Sequence, residues 1–395
     1  MKRADSYLRP GDEEHLISLW KELHRHPELG SDLPETVAIV ERELKELGIL
    51  FTEKYGKCSV VAEIGEKTAR PVIALRADMD ALPIEEKTGD EFRSEYPGRM
   101  HACGHDAHTA MLLCAAGALK RAWEDGALSC RVKLLFQPSE ETDDGGAELM
   151  VKNGVLSDVD FVFGQHVDPA FPAGTFAFCD GPLYAGSRTY DVTFTGKSSH
   201  ATMPEAGADP LAMAFRAYEG IYLMKCRMIG PFEDHIISVS ALTAGTCHNI
   251  IPDTAEMKIS VRFYDPALDG RIREKIRKIC IDAAEEFGGT VEISDDAVCP
   301  ALVTEKETTK IGRTAAALIA GKENVLETGR DMASEDCSWF LTKRPGTFSL
   351  LGVRNEEKGY TEQLHNSRFR LDEKALLSGS RYLVQLALLY EKQEE

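Results

Sequence analysis

The spacing of apolar positions divides the first part of the chain into alternating helices and strands. Helical spacing predicts helices at Glu13–Arg25 and Pro34–Leu47, the second of which opens with a first-turn proline. Four apolar runs with strand character follow: Ser59–Ile64, Val72–Arg76, Arg131–Gln137 and Val159–Gln165. Two further helices lie between these runs: Asp106–Trp123 and Gly146–Val151. Strands that alternate with helices favour a largely parallel sheet in an α/β domain.

The middle of the chain has a different order of elements. Its pattern predicts, in turn, strand Thr189–Thr195, helix Asp209–Cys226, strands Ile236–Thr243 and Ala255–Tyr264, helix Pro266–Phe287 and strand Gly289–Ser294. This β-α-β-β-α-β order is that of the ferredoxin-like α+β unit. The chain then returns with helix Glu307–Ile319, strand Gly346–Gly352 and helix Asp372–Tyr390.

The length of the chain supports two domains. Its 395 residues exceed the roughly 250–300 residues at which a single core stops growing. We therefore expect one α/β domain formed by residues 1–185 and 299–395, interrupted by a ferredoxin-like domain at residues 186–298.

Charge and composition exclude several classes of protein. A net charge of −19 disfavours binding to nucleic acids and to anionic membranes. No apolar run reaches the roughly 18 residues of a membrane-spanning helix, and the opening MKRADSYLRPGDEEHL lacks the apolar region of a secretory signal. The ten scattered cysteines form no CxxC pair, which is typical of reduced cytosolic thiols. We expect a cytoplasmic protein.

Polar side chains follow the ends of the predicted strands. Asp80 comes after the second strand, Glu140 and Glu141 come after the third, and His166 follows the fourth. Open α/β sheets bind ligands at the carboxyl edge of their strands, so we expect these side chains to converge. A loop that contains Asp143-Asp144-Gly145-Gly146 follows the two glutamates.

The densest group of reactive side chains is HACGHDAH, residues 101–108. Cysteine thiolate and neutral imidazole are donors that suit zinc and its neighbours, and Gly104 allows Cys103 and His105 to face one centre. Two other interpretations remain open: Cys103 is a nucleophile with a histidine base, or the histidines are incidental to a polar loop.

The Glu140-Glu141 pair also has two interpretations. Adjacent side chains of an extended segment point in opposite directions, so one glutamate can bind a metal while the other acts as a base. Alternatively, both are solvated surface residues. His166 and His365 are either structural histidines or the ligands that complete a two-metal set.

The predicted middle domain carries three candidate donors of its own. His200, in KSSHATMP, is either a turn histidine or a donor to a developing oxyanion. Asn249, in HNIIPD, and Arg262, in VRFYD, are either ordinary surface residues or groups that hold a substrate carboxylate.

The order of these motifs resembles that of a known enzyme family. The motifs are LHRHPELG, ALRADMDALPI, MHACGHDAHTAML, FQPSEE, GQHV, GKSSHATMP, HNIIPD, MASEDCSWF and LHNSRF. Together they resemble the amidohydrolase branch of the aminoacylase/carboxypeptidase-type dinuclear metallopeptidases. That branch includes hippurate hydrolases, N-acyl-amino-acid deacylases and auxin-conjugate hydrolases. The resemblance covers nearly the whole chain and implies a zinc-exopeptidase-like catalytic domain with an inserted lid.

The resemblance implies roles for the candidate metal ligands. Cys103 resembles the thiolate that bridges two metal ions. His105 and His166 resemble the remaining ligands of one ion, and Glu141 and His365 resemble those of the other. The ions are expected to be two divalent cations per subunit, from among manganese, zinc, cobalt and nickel.

It also implies catalytic and substrate-binding roles. Glu140 matches the general base, and Asp80 matches the acidic residue that supports the metal cluster. His200 matches the lid histidine that stabilises the oxyanion, often across a dimer. Asn249 and Arg262 match lid positions near the substrate.

The implied activity is hydrolysis of the amide bond of a small N-acyl amino acid, in an enzyme that is expected to form a homodimer through the lid. A dipeptidase or carboxypeptidase, or a metal-binding protein without activity, are the alternatives. Three features depart from the family pattern: Ser198-Ser199, Cys337, and the lengthened loop at Gly30-Ser31-Asp32-Leu33. None removes a ligand, so they affect the expected specificity and not the expected activity.

Overall fold

Two compact units make up the protein. The structure, a computed structural model, describes residues 3–142, 145–295 and 298–390. The first unit comprises Met1–Leu183, Val303–Gly329 and Asp336–Glu395, and the second comprises Tyr184–Leu302 and Arg330–Glu335. Asp143 and Asp144 of the predicted acidic loop lie outside the described residues.

The helices and strands are numbered here in chain order. The helices are α1 (Asp12–Arg25), α2 (Pro34–Glu46), α3 (His105–Glu124), α4 (Gly146–Lys152), α5 (Pro210–Met228), α6 (Pro266–Glu286), α7 (Lys306–Ala320), α8 (Ser338–Leu341) and α9 (Lys374–Leu389). The strands are β1 (Phe51–Thr52), β2 (Val60–Ile64), β3 (Val72–Asp78), β4 (Arg131–Gln137), β5 (Phe161–Pro172), β6 (Phe176–Phe178), β7 (Gly181–Tyr184), β8 (Gly186–Thr195), β9 (Ser199–His200), β10 (His235–Ala244), β11 (Ile250–Ile251), β12 (Thr254–Phe263), β13 (Thr290–Ser294), β14 (Val298–Cys299), β15 (Leu302–Thr304), β16 (Val325–Glu327) and β17 (Gly346–Arg354). In these described parts, no helix combines the length and the apolar character needed to cross a membrane.

The first unit is built on an eight-stranded sheet. Its strand order is β1-β2-β4-β3-β5-β17-β6-β16. The four central strands, β4, β3, β5 and β17, are parallel to their neighbours within this group. Antiparallel pairs occur where β1 joins β2, β2 joins β4, and β6 joins β17. The mainly parallel central sheet predicted from the sequence is therefore confirmed.

Helices cover this sheet because its central strands are buried. Every residue of β3 and of β4 is buried, which requires apolar cover on both faces. Helix α3 packs against β3 and against helices α1 and α9. Its many alanines, such as Ala110, Ala115 and Ala118, are completely buried and let the neighbouring helices approach closely. The start of α3 is thereby fixed next to the carboxyl ends of the central strands.

The second unit has the predicted ferredoxin-like topology. Its elements follow the order β8-α5-β10-β12-α6-β13, and its antiparallel sheet has the strand order β10-β12-β8-β13. Both helices open on an aspartate cap followed by proline. Asp209 accepts the N–H of Leu211, and Asp265 accepts that of Ala267. A separate apolar cluster, which includes Tyr190 and Phe194, forms the core of this unit.

Two predicted strand ends are wrong in a way that bears on the site. Strand β3 continues past Arg76 to Asp78, because the charges of both residues are paired inside the protein. Strand β5 does not stop before His166 but runs to Pro172, because β17 pairs alongside it with Leu350 opposite His166. His166 therefore projects from within a strand and not from a loop.

Candidate metal centre

The beginning of α3 sets the positions of the first two predicted ligands. Gly104 caps this helix with φ +83°, and a Cβ atom there would lie 2.4 Å from Cγ2 of Val167. Only glycine fits both the left-handed backbone and the close approach to the neighbouring strand. Cys103 and His105, on either side of Gly104, are both buried. The sharp turn thus places a thiol and an imidazole at one centre.

The five predicted metal ligands form a chain of short contacts. The Sγ atom of Cys103 lies 3.5 Å from Nε2 of His166. One donor atom each of Cys103, His105 and Glu141 lie within 4.8 Å of one another. The Oε1 atom of Glu141 lies 3.9 Å from Nε2 of His105 and 3.1 Å from Nε2 of His365. The structure therefore brings all five residues together within the first unit.

The ring of His166 has a defined orientation. Its Nδ1 atom lies 2.7 Å from the carbonyl oxygen of Val167, and a carbonyl can only accept, so Nδ1 carries the proton. The Nε2 atom, which lies near Cys103, is left as the nitrogen with a free lone pair. A hydrogen bond that fixes the tautomer of a ligand histidine in this way is a common feature of metal sites.

The backbone of His365 is held in an unusual conformation. Its φ of 63° is in the left-handed region, which is uncommon for residues other than glycine. Its N–H donates to the carbonyl of Ala102, at 2.8 Å. The loop is therefore anchored directly beside Cys103, and the half-exposed imidazole faces Glu141.

Asp80 holds the two glutamates in place. Its Oδ1 atom accepts the N–H of Glu140 at 3.0 Å, and its Oδ2 atom accepts the N–H of Glu141 at 2.9 Å. The segment is bent, with φ 58° at Ser139, and the assumption of an extended pair that points in opposite directions is wrong. Oxygen atoms of Glu140 and Glu141 lie 4.0 and 3.9 Å from Nε2 of His105. Both carboxylates therefore border the same centre.

The environment of His105 fits a bound cation. Within the described residues, neither ring nitrogen of this completely buried imidazole has a hydrogen-bond partner. Burial acts to lower the pKa of His105, but the charge of the Asp78 carboxylate opposes it, and the pKa lies well above the usual value. The surrounding carboxylates thus favour positive charge at this point, and a metal ion that displaces the proton would be bound by the one lone pair of the neutral imidazole.

The thiol of Cys103 fits a metal ligand better than a nucleophile. Burial raises its pKa well above the usual value, and the lowering effect of His105 does not compensate. A thiolate is needed for nucleophilic attack, whereas a bound divalent cation deprotonates a coordinating thiol directly. The alternative in which a histidine activates Cys103 is therefore disfavoured.

A buried arginine joins the strands beneath the ligands. The fully buried guanidinium of Arg76 donates to Oε1 of Gln137 at 2.8 Å, to Oδ2 of Asp78 at 2.6 Å and to Oδ1 of Asp336 at 2.9 Å. Asp336 also accepts from Nε2 of Gln137 and from the N–H of Ala147. This network ties β3, β4 and the start of α4 to a distant part of the chain.

His108 extends the network to β5. Its Nδ1 atom donates to Oδ1 of Asp78 at 2.5 Å, and its Nε2 atom accepts the N–H of Val167 at 2.9 Å. Burial lowers the pKa of His108 to about 4, so the ring is neutral, as this pair of bonds requires. Both nitrogens are used, so His108 positions the strand next to His166 and is not available as a ligand.

The sequence interpretation did not identify the roles of Arg76, Gln137, Asp78 and Asp336. The signal that could have indicated these roles is the presence of polar and charged residues within apolar strands. VIALRAD and RVKLLFQ both contain such residues, and a buried polar side chain needs a hydrogen-bond or ion-pair partner. Nothing in the local sequence shows that Asp336, 260 positions beyond Arg76, is such a partner.

The three predicted donors of the second unit lie at two places. His200 is exposed on β9, which pairs with β11, and Asn249 accepts the N–H of Ala201 through its carbonyl oxygen. His200 and Asn249 are therefore neighbours at one small two-stranded antiparallel sheet. Arg262 lies apart on β12, where its Nη1 atom donates to Oγ of Ser334 at 2.9 Å.

The mixed α/β fold and the cluster of thiol, imidazole and carboxylate donors define a metal-dependent amidohydrolase. Residues 74–389 match peptidase family M20/M25/M40, and the chain belongs to this family. This membership confirms the family resemblance seen in the ordered motifs.

Curated and solved relatives extend over almost the full length. Thermostable carboxypeptidase 1 of Saccharolobus solfataricus is 36% identical over 93% of this chain and 93% of its own. The hippurate hydrolase of Campylobacter jejuni is 35% identical over 94% of this chain and 95% of its own. A crystal structure of a dinuclear metal-binding M20 peptidase from Bacillus subtilis covers 96% of this chain and 99% of its own, with a TM-score of 0.82 and 32% identity.

Replacing Arg76 by methionine is expected to lower the free energy of unfolding by roughly 3–5 kcal/mol, because two buried carboxylates lose their counter-charge. Urea denaturation followed by circular dichroism measures this change. Arg70→Met is the matched control. Arg70 is largely exposed and pairs with Asp160, so its loss should cost about 1 kcal/mol or less. Equal effects of the two substitutions would contradict the role given to Arg76.

Proposed function

We propose that the enzyme hydrolyses N-acyl amino acids, releasing a carboxylate and the free amino acid. The observation that carries this proposal is the position of Glu140, a carboxylate at the edge of the ligand cluster. Its Oε2 atom is 4.0 Å from Nε2 of His105, and its Oε1 atom accepts the N–H of Asp336 at 3.4 Å. The name of the hippurate hydrolase relative supports this choice of substrate class, since hippurate is an N-acyl amino acid.

In the proposed mechanism, Glu140 moves the proton. Two divalent ions, when bound, supply positive charge that acidifies water and polarises the scissile carbonyl. Glu140 takes a proton from the attacking water and later gives it to the nitrogen of the leaving amine. Asp80 holds the N–H groups of Glu140 and Glu141, which keeps the base in place while its charge changes.

The ligand assignment that the family resemblance implies is part of this proposal. Cys103 would bridge the ions, His105 and His166 would complete the site of one, and Glu141 and His365 would complete that of the other. This mixed set of N, O and S donors suits manganese, zinc, cobalt or nickel. Elemental analysis of the purified protein identifies which ion it holds, and fewer than two ions per subunit after reconstitution would contradict the two-metal assignment.

Glu140→Gln is expected to keep the full metal content and lose about 10²–10⁴-fold in kcat, because only the base is removed. Glu141→Gln is expected to lose bound metal together with activity, because a ligand is weakened. Glu148→Gln, an α4 residue that pairs with Lys152, serves as the control and should match the parent. Elemental analysis and initial rates distinguish these cases. Full activity in Glu140→Gln would show that another group is the base.

We further propose the roles of the two units. Residues 1–185 and 299–395 would form the catalytic domain, and residues 186–298 would form a lid. His200 of the lid would donate to the developing oxyanion, and Asn249 and Arg262 would bind the carboxylate of the substrate.

A homodimer through the lid is part of this proposal. Helix α5 exposes Leu211, Phe215 and Tyr218, whose accessible fractions are 45%, 58% and 37%. Their spacing places them on one face of the helix, and contiguous exposed apolar groups mark interaction sites. Strand β10 forms an edge of the five-stranded sheet of the second unit and can pair with a second copy.

Mixing two inactive variants tests the dimer and the role of His200 together. If His200 serves the partner's site, a mixture of Glu140→Gln and His200→Ala subunits contains heterodimers with one complete site. Random exchange should then restore about one quarter of the parent activity. No recovery, in a mixture that native mass spectrometry shows to contain heterodimers, would place His200 in the site of its own subunit. Full activity of His200→Ala alone would place His200 outside catalysis. A monomeric protein in light scattering would contradict the dimer.

Peptide hydrolysis is the second candidate, because a relative is named a carboxypeptidase and the same chemistry cleaves peptide amides. A panel of N-acetyl and N-benzoyl amino acids and of dipeptides, assayed after reconstitution with each metal, separates the two. We expect kcat/KM to be at least tenfold higher for the best N-acyl amino acid, about 1.4 kcal/mol in transition-state binding. Faster turnover of dipeptides would favour the peptidase. No turnover by metal-loaded protein would contradict both.

We also propose a cytoplasmic location. None of the ten cysteines, which all lie in the described residues, forms a disulfide, and cysteines without disulfides are typical of reducing compartments. Cell fractionation that recovers the protein outside the cytoplasm would contradict this.

A further inference from the structure

The exposed imidazole of His200 is bound at one nitrogen by the turn that follows it. The backbone N–H of Thr202 donates to Nδ1 of His200 at 3.2 Å, and the Oγ1 atom of Thr202 lies 2.8 Å from the same nitrogen. A backbone N–H can only donate, so Nδ1 accepts through its lone pair, and the hydroxyl can donate to that lone pair as well. The proton of the neutral ring is therefore on Nε2.

Two other histidines have the opposite arrangement. The Nδ1 atom of His166 lies 2.7 Å from the carbonyl oxygen of Val167, and that of His235, in the second unit, lies 2.6 Å from the carbonyl oxygen of Glu233. A carbonyl can only accept, so these rings carry their proton on Nδ1. His166 thus presents a lone pair, which its predicted role as a metal ligand requires, whereas His200 presents an N–H.

The turn that contains Thr202 is held on both sides. Strand β9, which includes His200, pairs with β11, and the N–H of Met203 donates to the carbonyl of His200 at 2.8 Å. Lys197 and Ala208 exchange two backbone hydrogen bonds of 2.8 and 2.9 Å, which close the segment between them into a loop. The N–H of Thr202 is therefore directed at Nδ1 by the backbone and not by a mobile side chain.

This hydrogen-bonding pattern limits the chemistry that His200 can perform. A bond donated to one ring nitrogen polarises the ring and strengthens the N–H of the other, because linked hydrogen bonds polarise one another. The lone pair of Nδ1 is occupied and Nε2 already carries a proton, so the ring cannot take a proton from water. His200 is suited to donate to a negatively charged oxygen, and the proton transfers are left to Glu140.

We propose that Thr202 is a positioning residue, whose N–H and hydroxyl hold His200 in the tautomer that donates to the developing oxyanion through Nε2–H. Thr202 acts through His200 and not on the substrate. The inference rests on the proposed function for the donor role of His200. The tautomer itself follows from the contacts within the second unit.

Nuclear magnetic resonance of protein with isotope-labelled histidine tests the tautomer. The protein is loaded with zinc, which is diamagnetic, and the signals of His200 are assigned by their loss in His200→Ala. At neutral pH we expect the proton of His200 on Nε2, and in the same spectrum the proton of His235 on Nδ1. A His200 ring that carries a proton on Nδ1, alone or together with Nε2, would overturn the proposal.

Thr202→Val removes the hydroxyl but keeps the backbone N–H and the shape of the side chain. The share of His200 rings with the proton on Nδ1 should rise about three- to tenfold, the effect of one lost hydrogen bond. For the best N-acyl amino acid, kcat should fall about threefold or more with KM unchanged, because the Nε2–H donor is weakened. Thr202→Ser keeps the hydroxyl and should restore both readouts. Thr189→Val, at an exposed threonine of β8, is the matched control and should match the parent.

A double variant decides whether Thr202 acts through His200. In a His200→Ala background, Thr202→Val should cause no further fall in kcat, since coupled residues are not additive. An undiminished further fall, or a Thr202→Val spectrum identical to that of the parent, would overturn the proposal. Full activity of His200→Ala would instead contradict the proposed function, and the spectrum then decides the tautomer on its own.

Discussion

A guanidinium group without access to water must have its charge neutralised and its donors bonded, and the site is organised around that requirement at Arg76. Its three acceptors come from β3, β4 and a segment far along the chain. Asp78, fixed by Arg76, orients His108, which in turn holds the backbone of β5. Asp336, fixed on the other side, donates its N–H to Glu140. One buried charge thus sets the relative positions of the strand that carries the predicted ligand His166 and of the loop that carries the proposed base Glu140.

The concentration of negative charge around His105 explains why the centre suits a metal ion. His105 is bordered by Asp78, Asp80, Glu140 and Glu141 at distances of 3.4 to 4.0 Å. Carboxylates gathered so closely repel one another, and Arg76 compensates the charge of Asp78 among them. A divalent cation relieves that repulsion, so its binding free energy adds to the stability of the fold. Catalytic competence and stability of the first unit are therefore linked through the same atoms.

The sequence predicts those parts of the fold and of the ligand cluster that depend on local hydrophobic patterns or on the order of the motifs. The strand Arg131–Gln137 agrees with the structure to the residue, since its apolar run ends at a sharp turn. The errors arise where an element's bounds depend on pairing with residues far away in the sequence. The end of β3 and the length of β5 depend on Asp336 and on β17. The bend at Ser139, which turns Glu140 and Glu141 to one side, has no local signal because its backbone conformation is unusual for serine.

Strand β17 occupies a position that has consequences during biosynthesis. It lies between β5 and β6, yet it is made after the whole second unit has been translated. The five-stranded sheet of the second unit comes from one continuous stretch of chain and can form as soon as that stretch leaves the ribosome. The first sheet must wait, with the edge of β5 open, until residues 346–354 emerge. The second unit of the nascent chain can therefore fold before the first unit is complete. A chain truncated before β17 lacks both the strand that closes the first sheet and His365.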